Sequence, residues 1–289
     1  MQLSFQEIEP SGPPKIVNVA SVSQLSPFRY PGGKTWLVPL ILRWLAGLPA
    51  RPKVLVDPFL GGGSVPLSVL SEGGVDRLIL REIDEEVAAV WQTIFSESHE
   101  YLCRRIASYR ISRDAVIREL KRPATTVADR AFQTILKNRT YRGGILAKGA
   151  SLMKDGENGR GVKSRWYPET LVRRIRGLAL LRDSVEFKCG DGLDEIRTQI
   201  KNPAAAFFID PPYTVGSGKR AGRRLYTHSK LDHPQLFSLM ARCAGPFLMT
   251  YDDDPDVVAL ARRFDFQVER VPMKNTHHDE KCELVITAR

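Results

Sequence analysis

Val54-Leu55-Val56-Asp57-Pro58-Phe59-Leu60-Gly61-Gly62-Gly63-Ser64 reads as a strand, a turn and the start of a helix. Three consecutive apolar residues without polar alternation suit a strand buried on both faces. Asp57-Pro58 ends the strand, the glycines free the backbone, and Ser64 is placed to cap the next helix. The same alternation repeats outward. Further strand patterns lie at 77–83, 185–188, 205–209, 247–251, 266–271 and 283–287. Helical patterns lie at 35–48, 85–109, 113–121, 127–137, 168–181, 193–200, 233–243 and 255–264. Pro39 falls in the first turns of its helix, where proline is tolerated. Alternating strands and helices predict an α/β domain with a mainly parallel, twisted sheet.

The chain has 289 residues, enough for one large domain or two smaller ones. Its net charge of +10 is concentrated. Residues 101–180 hold 19 basic and 6 acidic side chains, whereas the rest of the chain holds 24 and 27. A single central segment therefore carries the whole excess, and it interrupts the α/β pattern. This predicts an α/β domain from 25–100 and 182–289, with a mostly helical insertion at 101–181. Residues 1–24, rich in proline and serine, read as an N-terminal extension. A second basic stretch contains Lys219, Arg220, Arg223, Arg224 and Lys230. Like charges at this density repel unless something neutralises them, and phosphate backbones are the natural partner. The longest uncharged apolar run, 36–42, is far too short to cross a bilayer. The N-terminus lacks the basic start and apolar block of a signal peptide. The four cysteines form no CxxC pair and suggest no disulfide framework. The expectation is a soluble cytoplasmic protein with no membrane contact.

Ligands of parallel sheets bind beyond the carboxyl ends of the strands. Side chains that do chemistry should therefore follow strand patterns, and several do. Asp210-Pro211-Pro212-Tyr213 stands directly after the apolar run 204–209. Two prolines fix the backbone and remove two N–H donors, leaving carbonyl acceptors, a carboxylate and a nearby aromatic face. That edge suits a planar amine: carboxylate and carbonyl each accept one N–H while Tyr213 stacks on the ring. The alternative is a turn that merely ends a strand. Asp57 to Gly63 follow the first strand, where glycines would let the backbone approach a ligand or simply make a tight turn. Glu82 and Asp84 end the second strand; an acid there can accept from ribose hydroxyls, or Asp84 can cap the next helix. Tyr30-Pro31-Gly32-Gly33-Lys34-Thr35 fails the nucleotide-triphosphate loop spacing, because Phe28 stands where glycine is required. This argues against an ATPase or GTPase. His277 and His278 near Asp279 and Cys282 have no second cluster at zinc spacing, so no metal site is expected.

Taken together, these residues resemble the Dam-like (D12 class) DNA adenine-N6 methyltransferases. The order runs from Phe28-Arg29-Tyr30-Pro31-Gly32-Gly33-Lys34 through Asp57–Gly63, Glu82-Ile83-Asp84, a basic insertion and Cys189-Gly190-Asp191 to Asp210–Tyr213. Within the insertion, Asn138-Arg139-Thr140-Tyr141-Arg142-Gly143-Gly144 and Arg165-Trp166-Tyr167-Pro168-Glu169-Thr170-Leu171 also look like that family. Tyr30-Pro31 departs from it, standing where many relatives have Trp-Ala.

The resemblance implies a Rossmann-like methyltransferase sheet with S-adenosylmethionine as methyl donor. Lys34 and the preceding Tyr30, Gly32 and Gly33 would hold the donor's carboxylate. Asp57, Phe59, Gly61 and Gly63 would line its pocket, Asp84 would bind the ribose and Asp191 the adenine amine. Asp210, Pro211, Pro212 and Tyr213 would hold the target base, with Asp210 also facing the donor. The insertion would be the target-recognition domain on double-stranded DNA. Lys137, Asn138, Arg139, Tyr141, Arg142, Lys148, Lys163 and Arg165 would bind nucleic acid there, with Lys219, Arg220, Arg223 and Arg224 beyond it. The implied setting is bacterial or phage-encoded, and a cognate restriction nuclease is among the partners the family allows. Cytosine-N4 and RNA adenine transfer are the enzymatic alternatives, although the resemblance prefers serine at position 210 for cytosine. A catalytically silent DNA-binding subunit is the alternative from another class.

Overall fold

The computed structural model describes residues 22–30, 32–147, 149–156, 159–212, 231–274 and 280–289. Strand β1 (Val54–Asp57) leads into α2 (Ser64–Ser71), preceded by α1 (Val38–Ala46). β2 (Arg77–Glu82) leads into α3 (Glu85–Ile94), α4 (His99–Ser108), α5 (Arg113–Lys121), α6 (Val127–Thr140) and α7 (Pro168–Ala179). The α/β alternation then resumes with β3 (Val185–Cys189), α8 (Gly192–Gln199), β4 (Ala205–Ile209), α9 (His233–Met240), β5 (Phe247–Asp252) and α10 (Pro255–Arg263). β6 (Gln267–Lys274) and β7 (Glu280–Thr287) close the chain.

The seven strands form one sheet in the order β3-β2-β1-β4-β5-β7-β6. All neighbours are parallel except β7, which runs antiparallel to both β5 and β6. Chain order reverses between β1 and β4, which is where an open parallel sheet leaves a crevice for ligands. Both faces are covered, so the central strands are apolar throughout. In β1, Leu55 joins one apolar cluster and Val56 the other; in β4, Phe208 and Phe207 divide the same way. One cluster takes α1, α2 and α3, the other α8, α9 and α10.

One expectation changes on contact with the structure. The helix expected at 85–109 is two helices. Ser96 turns its hydroxyl back to the Thr93 carbonyl and accepts from the Ser98 N–H. Such local side-chain bonds compete with the helical ladder and end it. The insertion's helices pack onto the core of the sheet. Leu102, Ile106, Phe132, Ile135 and Leu171 pack into the same cluster as Leu55 and Leu78 of the sheet. Among the described residues, no helix is long and apolar enough to cross a membrane.

Candidate active site

The eleven residues assigned above to the methyl donor all line a single cavity at the carboxyl ends of β1, β2 and β4. Its floor is the turn after β1. Asp57 is buried, and its Oδ1 accepts from the Phe59 N–H at 3.1 Å. Burial, with the Asp210 and Glu82 carboxylates nearby, pushes Asp57 well above the usual carboxylate range. Glu82 ends β2 with both oxygens engaged: Oε2 accepts from the Gly61 N–H and Oε1 from the Asp84 N–H, each at 2.8 Å. Burial still raises its pKa from 4.5 to about 7, because two backbone donors only partly replace water. Glu82 thus ties the glycine loop to the start of α3, a task that position in the sequence did not disclose.

The glycines have a reason other than ligand approach. A Cβ at Gly62 would lie 2.6 Å from the Tyr30 Cβ, and Gly61 combines a left-handed φ of 47° with a Tyr30 ring atom at 2.8 Å. The loop is small because Tyr30 lies on it. Trp91 of α3 then donates its indole N–H to the Gly61 carbonyl at 3.0 Å.

Asp84 and Asp191 reach the cavity and also cap helices. Asp84 Oδ1 accepts from the Glu86 and Val87 N–H groups at the start of α3. Asp191 Oδ1 accepts from the Leu193 N–H at the start of α8. Capping orients each carboxylate at the rim, so the cap and ligand readings coexist on one side chain.

On the other wall, Asp210 and Pro212 face the cavity while Pro211 is buried behind them. Asp210 sits in a polar network that crosses three strands. Its Oδ1 accepts from the Thr250 hydroxyl at 2.7 Å and lies 3.3 Å from Lys34 Nζ. Lys34 also pairs with Glu283 of β7 at 2.8 Å and donates to the Gly32 carbonyl at 3.0 Å. Lys34, expected to meet the donor's carboxylate, is therefore buried with two protein carboxylates around its ammonium. A lysine with 5% of its side chain exposed needs such partners.

The insertion's candidates separate into two groups. Asn138 is fully buried: its amide donates to the Arg29 and Gly144 carbonyls and its oxygen accepts from the Arg29 N–H. Arg139 is buried too and donates to the Pro27 carbonyl. Assigning Asn138 to nucleic acid is corrected here, since a buried, satisfied amide has no surface to offer; Arg139 is likewise spent in part on the chain itself. Arg142 and Lys163 are exposed, and Arg165 and Tyr141 half-buried. Lys137 pairs with Glu86 of α3 at 2.7 Å. Tyr213, Lys148, Lys219, Arg220, Arg223 and Arg224 lie outside the described residues, as do His277 and His278.

The cavity fits a cationic, partly aromatic ligand. The Asp210 and Glu82 carboxylates help to raise Asp57, and Phe59 and the exposed Ile83 give apolar surface for a flat ring. Fold and site together place this cavity at the switch point of a doubly wound sheet. The comparison with known families agrees. The model of the D12 class N6 adenine-specific DNA methyltransferases matches residues 30–274, and the chain belongs to that family. It is an enzyme, and S-adenosylmethionine is the methyl donor of its class. No curated protein matches significantly. Among solved structures the chain is similar to PH1948 of Pyrococcus horikoshii, described as a putative RNA methyltransferase, at 10% identity and a TM-score of 0.43. The likeness covers 93% of this chain and 94% of that one. It is also similar to the rRNA methyltransferase aviRa of Streptomyces viridochromogenes, at 15% identity and a TM-score of 0.42, covering 90% and 86%. Both likenesses are loose, and the family match stands without them.

Proposed function

We propose that this methyltransferase acts on the exocyclic N6 of adenine within a specific sequence of double-stranded DNA, with the target base turned out of the helix. The observation that carries the reading is the position of Asp210-Pro211-Pro212: immediately beyond β4, at the switch point, with Asp210 opening on the donor cavity. When bound, S-adenosylmethionine supplies a methyl group on a sulfonium, and Asp57, Glu82, Asp84 and Asp191 are the side chains that would hold it.

Adenine N6 is a weak nucleophile because its lone pair is delocalised into the ring. Asp210 and the Pro211 carbonyl each accept one of its N–H bonds, which draws the nitrogen toward tetrahedral geometry. Positive charge grows on N6 during transfer, and a fixed carboxylate favours it without having to reorganise. Once methylated, N6 carries one proton too many, and Asp210 is the base placed to take it. Tyr213, next in sequence, offers a ring to stack on the base, offsetting part of the few kcal/mol that unstacking costs.

Phosphate contacts fall to Arg142, Lys163, Arg165, Lys137 and Tyr141. Support comes from the guanidinium cluster of Arg29, Arg139, Arg165 and Arg174. Burial first, then the charges of Arg174, Arg29 and Arg165, bring Arg139 down to about 10. Arg29 is lowered by burial and by Arg165. Positive charge gathered this closely favours a polyanion alongside. The test is transfer of labelled methyl to unmethylated duplex DNA, with the nucleosides resolved by mass spectrometry. N6-methyladenine is expected. Label on cytosine would overturn the base assignment, and label on RNA alone would overturn the DNA substrate.

A further inference from the structure

We propose that Thr250 is a positioning residue for the reaction: its hydroxyl fixes the plane of the Asp210 carboxylate that receives the target amine. The proposal rests on the reading of Asp210 given above. β4 and β5 are parallel, and their register pairs Ile209 with Met249. One step further along both chains brings Asp210 beside Thr250. Thr250 is completely buried within β5, directly after the apolar run Phe247–Met249. A hydroxyl in that setting costs free energy unless it is hydrogen-bonded, and valine would fill the same space without one. The Thr250 Oγ1 lies 2.7 Å from Asp210 Oδ1 and 3.5 Å from the Ile209 carbonyl, so the carboxylate is its partner.

Lys34 Nζ approaches that same Oδ1, at 3.3 Å. The two donors arrive from different elements, a strand on one side and the loop before α1 on the other. Charge alone would be supplied by Lys34, but an ammonium on a flexible stem sets direction poorly. A β-branched side chain has little χ1 freedom, so Thr250 supplies direction. With Oδ1 anchored, rotation of the carboxylate is opposed, which favours one direction for Oδ2 toward the incoming N–H. Thr250 does not line the cavity, so it acts only through Asp210.

The experiment uses the full chain with Thr250→Val and Thr250→Ser. Methyl transfer is measured under saturating DNA and donor, with donor binding and thermal unfolding measured in parallel. Thr250→Val is expected to lower kcat about 10–100-fold, the scale on which a small misplacement of a reacting group acts. Its donor affinity should stay within about twofold, because the cavity wall is unchanged. Thr250→Ser, which keeps the hydroxyl, should recover most of the rate. Unchanged kcat in the valine variant would overturn the proposal. So would a serine variant that falls as far as valine, because the lost methyl packing would then be the cause. The identity of the wild-type product reports separately on the target base, so an error there is told apart from an error about Thr250.

Discussion

Charge is handled in opposite ways at the two functional ends of this molecule. At the strand ends, Asp57 and Glu82 are buried, held by backbone N–H groups, and raised in pKa by desolvation. In the inserted helices, part of the basic excess counted along the sequence is matched by carboxylates. Arg105 meets Glu119 and Asp129 within the insertion. Arg130 and Lys137 reach across to Glu85 and Glu86 on α3, and Arg176 to Glu100. A charge count along a chain therefore gives the sign of a partner, while only the structure says which groups are still available. Asp57 and Glu82 are held by backbone N–H groups, and a sulfonium donor would bring positive charge to that end of the cavity. Most of the insertion's basic groups stay exposed, Arg142 and Lys163 among them, so the ion pairs remove particular groups rather than the basic surface itself.

The largest effect expected is from Asp210→Ala. It should lower methyl transfer by at least about 10²–10³-fold, the scale of removing one preorganised electrostatic partner. Donor binding should hold, and the fold should survive with some loss of stability, because Lys34 keeps Glu283 as its counter-ion while the buried Thr250 hydroxyl loses its partner. Equilibrium donor titration beside the transfer assay checks this, and loss of donor binding at an intact fold would move Asp210 from the target side to the donor side.

Glu82→Gln tests the acidic end. The pKa of Glu82 in the folded chain, about 7, lies above its ordinary 4.5. The folded state therefore holds that proton more tightly than the unfolded chain does. Stability is lost as pH rises from about 4.5 to about 7, and the loss is complete above that range. The shift corresponds to something on the order of 3 kcal/mol. Urea unfolding of donor-free protein at pH 5 and pH 8 should show wild type losing stability relative to Glu82→Gln between the two. Parallel profiles would mean that Glu82 stays ionised at little cost.

Much of this is legible in the sequence, and the remainder shares one physical character. The strand at 205–209 has the bounds its apolar run predicts, and the donor-side residues converge as expected, because each motif follows a strand and the sheet gathers strand ends. What escapes a linear reading is contact between distant elements. Thr250 meets Asp210 across 40 residues, and Glu283 meets Lys34 from the last strand. Glu283, in a strand that opens with Glu280 and Lys281, carries no signal, whereas Thr250 carries a faint one, a polar residue directly after the apolar run Phe247–Met249. Asn138 is the same case on a helix, a polar residue in line with buried Thr134 and Ile135. Its basic neighbours make it look like a ligand for DNA.

Asn138 and Arg142 are close in sequence, yet opposite behaviour is expected of them. Asn138→Ala removes three hydrogen bonds that join α6 to the segment carrying Arg29 and to Gly144. It should cost about 1–3 kcal/mol of stability by stranding buried backbone groups, with little change in how DNA binding depends on salt. Arg142→Ala should leave stability alone and make the plot of log affinity against log salt shallower by about one charge. Unfolding curves and salt titrations of both variants make the check. A salt slope that drops in Asn138→Ala at unchanged stability would return that residue to the DNA surface.

The smallest effect, expected at Lys137, is the sharpest test of the contrast between counted and available charge. Its ammonium is 2.7 Å from the Glu86 carboxylate, on a helix outside the insertion, with the Tyr141 ring 6.0 Å away. The pair is partly exposed, with 21% and 43% of the two side chains accessible. Lys137→Ala should cost less than about 1 kcal/mol of stability, as such pairs generally do. Its effect on the salt slope should be well short of Arg142→Ala, because DNA would have to compete with Glu86 for the ammonium. The double variant with Glu86→Gln decides between two accounts. If Glu86 holds Lys137 back, Glu86→Gln alone should tighten DNA binding and steepen the slope, and adding Lys137→Ala should cancel that gain. If the two substitutions act independently on the slope, Lys137 contacts phosphate despite its partner, and the insertion's basic count is closer to its working charge than the ion pairs imply.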